Sequence, residues 1–106
     1  MSLRNRPLKH LLQWLIIGSR GGSNRAHIIE TLKKEPKNAN QLAGLLGVDY
    51  RTIRHHIEVL EKNQLITSIG EQYGKMYFLS IELEENFEVF EEIWNEIRKK
   101  LKRKGN

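Results

Sequence analysis

The chain has 106 residues, 39% of them apolar and 29% charged, which suits one compact domain with a modest core and leaves no room for two. Eighteen Lys and Arg against thirteen Asp and Glu give a net charge of +5, which favours an anionic partner such as nucleic acid or a lipid surface. The absence of cysteine excludes disulfides, a thiolate nucleophile and cysteine-ligated metal, and it suits a reducing cytosol.

Behind Pro7, Leu8, Leu11, Leu12 and Leu15 recur at helical spacing and predict an amphipathic helix over 7–17. Trp14, Ile16 and Ile17 widen its apolar surface, which implies burial on more than one side, against the core and against a second subunit. The run LLQWLIIG at 11–18 is too short to cross a bilayer and holds Gln13 in its middle, so no membrane partner is expected. Arg20 stands where a signal-peptide cleavage site would be uncharged, and a cytoplasmic location is the expectation.

GSRGGS at 18–23 breaks the first helix. Ser23 is placed to cap a second one that turns Ala26, Ile29 and Leu32 inward, with Ile28 beside them, and ends before Pro36. Asn38 and Gln41 stand at capping-box spacing ahead of a third helix that would bury Leu42, Leu45 and Leu46 and stop at Gly47. Asp49 follows after a single residue and caps a fourth helix, 49–62, with Ile53, Ile57 and Leu60 inward. Two short helices joined by so tight a glycine turn predict a helix-turn-helix.

Leu65, Ile66 and Ile69, then Tyr77, Leu79 and Ile81, flank the turn-prone GEQYG at 70–74 and predict a hairpin with a five-residue loop, a wing over 66–80. The expected fold is therefore mainly α with a small β-hairpin, a winged helix-turn-helix. Residues 1–106 form one domain, with an additional N-terminal helix and loop (1–22), a core (23–81) and a long C-terminal helix (82–106). On that last helix Leu83, Phe87, Phe90, Trp94, Ile97 and Leu101 repeat at alternating spacings of 4 and 3. Six large apolar residues exceed what so small a domain readily buries, so the stripe is assigned to homodimerisation. Its glutamates precede its lysines and arginines, so an antiparallel copy would set acid against base.

Setting Ile53, Ile57 and Leu60 inward turns Arg51, His55, Glu58 and Lys62 outward, with Thr52 and Arg54 on the shoulders and His56 beside the core. Adjacent histidines on a helix point apart, and an HExxH-type site needs them four apart, so no metal or cofactor is expected. Tyr50, Arg51, Thr52, Arg54 and His55 instead supply what the major groove of double-stranded DNA takes up: forked donors for guanine and donors for phosphate. Lys75 and Tyr73, near the wing tip, suit backbone or minor-groove contact, although Tyr73 could equally pack the hairpin.

The run NANQLAGLLGVDYRTIRHHIEVLEKNQLI, followed by YGKMYFLS, resembles the winged-helix regulators of the ArsR type, particularly the small archaeal ones, over about residues 20–81. That resemblance implies a transcriptional regulator that binds operator DNA as a dimer, 49–62 serving as recognition helix. The metal-sensing motifs of the family are missing, since cysteine is absent and 82–106 hold no histidine. The reading is a homodimeric, sequence-specific DNA-binding regulator without enzymatic activity; its rival is a winged-helix adaptor that docks proteins in a transcription-related complex.

Overall fold

The computed structural model describes residues 5–104, apart from the side chains of Tyr73, Leu101, Arg103 and Lys104. The sequence-based expectations for Tyr73 and Leu101 lie outside the described residues. In order come α1 (Arg6–Leu12), a wider π turn (Gln13–Ile17), α2 (Gly22–Lys34), α3 (Ala39–Leu46), α4 (Tyr50–Lys62), β1 (Ile66–Ile69), β2 (Met76–Leu79), α5 (Ile81–Glu85) and α6 (Phe87–Lys104). The strands pair antiparallel with Ile66 opposite Leu79 and Ile69 opposite Met76. This is the winged helix-turn-helix that the periodicities predict.

Leu8, Leu12 and Leu15 enter the core as expected, together with Ile29 and Leu32 of α2 and Ile53, Ile57 and Leu60 of α4. Tyr77 is buried where β2 meets the loop before α3: its N–H donates to the Lys37 carbonyl at 2.8 Å, and its carbonyl accepts from the Lys37 N–H. The second helix stops at Lys34 because Glu35, ahead of Pro36, is held extended at φ −167° and ψ 156°.

Four expectations are corrected. Ser23 does not cap α2; the left-handed Gly21 occupies that position and no side chain caps the helix. Leu45 is 61% exposed, because α3 is so short that only Ala39 and Leu42 turn fully inward. Ile81, expected on the hairpin, instead opens α5, whereas Ile69 pairs in β1 as expected; both are exposed, so the hairpin buries its base and not its tip. Residues 70–75 separate the strands, one more than the five expected, with a tight turn at Gln72–Gly74.

The largest correction concerns the C-terminal stripe. The chain breaks at Asn86, whose side chain donates to the Glu82 carbonyl at 2.8 Å and accepts from Asn5 at 2.6 Å, so 82–104 is two helices. Leu83, Phe90 and Trp94 are buried within the subunit, with Val89 and Ile93, while Phe87 and Ile97 pack partly buried against the same core. Burying a large apolar side chain contributes about 1.5 to 3 kcal/mol, so this stripe stabilises its own domain. The helix folds back on its own domain because α1 and the π turn supply the covering surface that the winged helix alone lacks. Among the described residues, no helix is long and apolar enough to cross a membrane.

Candidate nucleic-acid interface

The helix-turn-helix is held by local chemistry. Asn38 Oδ1 accepts from the Gln41 N–H at 2.8 Å while Gln41 Oε1 accepts from the Asn38 N–H at 2.9 Å, a complete capping box. Gly47 closes α3 at φ +66°, a conformation few other residues adopt cheaply. Asp49 Oδ1 then accepts from the Thr52 N–H at 3.0 Å, and the Thr52 hydrogen bonds hold its carboxyl below the usual carboxylate range. The first turn of α4 is thereby fixed against the end of α3.

Of the residues assigned to DNA, Tyr50, Arg51 and His55 stand exposed on one end of α4, and Thr52 is half-buried. Among the described residues Arg51 makes no side-chain hydrogen bond or ion pair. Arg54 differs. Its Nη1 donates to the buried Tyr77 hydroxyl at 2.8 Å and its Nη2 lies 3.8 Å from Glu58. Burial works against its charge, but the Tyr77 hydrogen bond and the surrounding groups raise its pKa above the ordinary value. Sequence reasoning placed Arg54 on the helix shoulder but could not see this partner 23 residues away.

Tyr50 and Arg54 of α4 face Gln72 and Lys75 of the wing across an open cleft of about 570 Å³. The cleft brings three residues of the sequence-based set together and adds Gln72, which no pattern in the sequence marks. Glu58 and Glu61 lie toward the other end of α4, and Glu61 accepts a hydrogen bond from Ser68 at 2.9 Å.

His56 is 5% exposed and lies against Gly21, as its position beside the core stripe predicts. Arg25, in the first turns of α2, is also buried: Nη1 donates to the Leu15 carbonyl at 2.8 Å and to Ser19 Oγ at 2.7 Å. That carbonyl belongs to the π turn, where the widened spiral leaves backbone acceptors for side chains to meet. The positive surface near the start of α2 is thus smaller by one charge than the sequence suggests. No group of three or more His, Cys, Asp or Glu able to hold a metal occurs among the described residues.

Burial first, then the charges of Arg25 and His55, push the His56 pKa below its ordinary 6.5. As pH falls through that value the unfolded chain takes up a proton that the folded chain refuses, so stability is lost until the lower folded-state value is passed. The urea midpoint of the protein should therefore fall from about pH 7.5 to about pH 5.5, and should fall less in His56→Gln, which has no imidazole to protonate. Equal losses in the two proteins would place the acid sensitivity elsewhere.

Comparison with known proteins supports the same architecture. No curated protein matches the sequence. Among solved structures the chain is similar to MarR of Staphylococcus aureus, solved with salicylate and kanamycin, at a TM-score of 0.64 and 17% identity, covering 96% of this chain and 71% of that one. It is similar to MepR, a transcription regulator of the S. aureus multidrug efflux pump MepA, at 0.63 and 18%, covering 96% and 78%. The homodimeric winged helix-turn-helix DNA-binding domain Mb0332 of Mycobacterium bovis matches at 0.63 and 15%, covering 94% and 90%. At such identities these likenesses establish the fold alone. The model of the family described as methanogenesis regulatory protein FilR1, N-terminal domain, matches residues 20–77, from the turn before α2 to the buried Tyr77, and with more than half of its length inside that match the chain belongs to this family.

Proposed function

We propose that the protein is a sequence-specific, double-stranded-DNA-binding transcription regulator without enzymatic activity, acting in the cytoplasm as a homodimer of the ArsR type, as in archaeal members. The observation that carries this reading is the exposed end of α4, where Tyr50, Arg51 and His55 project from a helix whose first turn is fixed by Asp49 and whose flank is continuous with the wing. A rigid helix presenting forked donors beside a hairpin that carries Lys75 is what major-groove readout with backbone anchorage requires. Binding to a selected DNA fragment should weaken steeply with salt, with a log–log slope of several units. Affinity that ignores salt and sequence alike would favour the protein-docking adaptor instead.

Dimerisation is assigned to the outer face of the π turn and α6, replacing the buried heptad stripe. Trp14 and Ile17 are 62% and 56% exposed there, and Ile17 lines a cleft of about 440 Å³ with Lys9, Gln13, Glu92, Ile93, Asn95 and Glu96. Large apolar residues rimmed by charge of both signs suit a self-complementary two-fold contact, Lys9 of one copy meeting Glu92 or Glu96 of the other. Two recognition helices so paired would reach half-sites roughly 34 to 36 Å apart or a multiple of that. Trp14→Lys combined with Ile17→Glu should weaken self-association about 100-fold in sedimentation while leaving the helical spectrum intact. A wild-type chain that sediments as a monomer would sink this part of the reading.

A further inference from the structure

We infer that the cleft between α4 and the wing seats one DNA backbone phosphate, held by Arg54 and Lys75, with Tyr77 as the residue that positions Arg54. The inference rests on the DNA-binding reading above and assigns Arg54 to the backbone in place of a base. Arg54 and Lys75 bring two cations to an open, mainly polar cleft of about 570 Å³, and Tyr50 and Gln72 add a hydroxyl and an amide able to donate. Among the described residues no carboxylate lines it. Glu58 approaches Arg54 at 3.8 Å, but Glu58 is 66% exposed, and so long an exposed pair competes weakly with a phosphate.

Arg54 is not free to probe a base edge. One of its terminal nitrogens is bonded to the hydroxyl of Tyr77, which is 1% exposed and is itself tied to the Lys37 backbone. A guanidinium held in this way has lost the rotamer freedom that a groove-searching arginine keeps, and it still has N–H donors to offer an anion at a fixed place. The Tyr77 hydroxyl thereby couples the recognition helix to β2, the strand that Lys75 directly precedes, so helix and wing would grip the backbone as one unit.

The test measures affinity of the full chain for its selected duplex and for unrelated duplexes across salt concentrations, then repeats it with uncharged methylphosphonates placed singly along the site. Lys75→Ala and Arg54→Ala should each weaken every duplex by about 10-fold or more and lower the salt slope by about one. Tyr77→Phe, which keeps the ring in the core, should weaken phosphodiester DNA roughly 3- to 10-fold. It should have no further effect on the duplex neutralised at the seated phosphate, whereas mere structural damage would weaken both. Arg54→Ala that relaxes preference at one base pair, with the salt slope unchanged, would overturn the assignment while leaving the protein a DNA binder. Inorganic phosphate that fills the cleft in the wild type, with DNA affinity indifferent to all three substitutions, would make it a small-anion site and overturn it too. No DNA binding by the wild type would remove the underlying reading itself.

Discussion

Gly22→Ala should cost roughly 3 kcal/mol of folding stability or more, lowering the melting temperature by about 12 °C or more for a domain of this size. A Cβ built on Gly22 would lie against the backbone of Ile16, 2.6 Å from its carbonyl carbon and 2.9 Å from its Cα, with the carbonyl oxygen closer still. The obstacle is backbone, and no rotamer change relieves it. Either the π turn or the first turn of α2 would have to move, and Arg25 holds the two together through the Leu15 carbonyl. Gly44→Ala makes the contrast: nothing lies within 4 Å of the added methyl, so relief of the glycine penalty in α3 should stabilise by about 0.5 to 1 kcal/mol. Urea unfolding of the two variants would decide it, and equal midpoints would show that the Gly22 contact relaxes without cost.

Arg51→Ala should reduce affinity for the selected duplex by about 1 to 3 kcal/mol while changing affinity for unrelated duplexes much less, so that discrimination itself collapses. Two arginines three residues apart are held differently. Arg54 is committed to Tyr77 and the wing cleft. Arg51 is exposed on the turn that Asp49 fixes and is unengaged among the described residues, so its fork remains available to a guanine edge. Uniform losses across sequences would make Arg51 another phosphate anchor and would move base readout to His55 or Thr52.

Local chemistry was the legible part of this fold. The capping box at Asn38 and Gln41, the Gly47 stop and the Asp49 cap each operate within four residues, and the structure carries all three as the spacing predicts. The inward set of α4 was equally readable, including His56, since a 100° advance per residue depends on nothing distant. What escaped depends on which surface covers which. The stripe from Leu83 to Ile97 has the period of a dimer seam, yet periodicity says only that a face is apolar, and here α1 and the body cover it. Asn86 interrupts that stripe without disturbing its spacing, because asparagine is tolerated inside helices and nothing in the sequence marks its bonds to the Glu82 carbonyl and to the distant Asn5. In the candidate site, Tyr50, Arg51 and His55 were legible as a helix face. Gln72 and the Tyr77 hydroxyl were not, since both join the site through tertiary approach.

The hydrogen bond from Asn5 to Asn86 spans 81 positions of sequence, whereas the helix-turn-helix and the wing are built from near neighbours. Contacts that close so long a stretch of chain must await the loss of its freedom, so they form late on folding and open early on unfolding. The helix-turn-helix should accordingly be the more protected unit in amide exchange, and the layer of α1 and α6 the more readily opened one. The π turn packed on that layer carries Trp14 and Ile17, so in the proposed dimer the pairing of subunits would be the last step of assembly, and protein concentration would set how firmly each chain's two ends are held together.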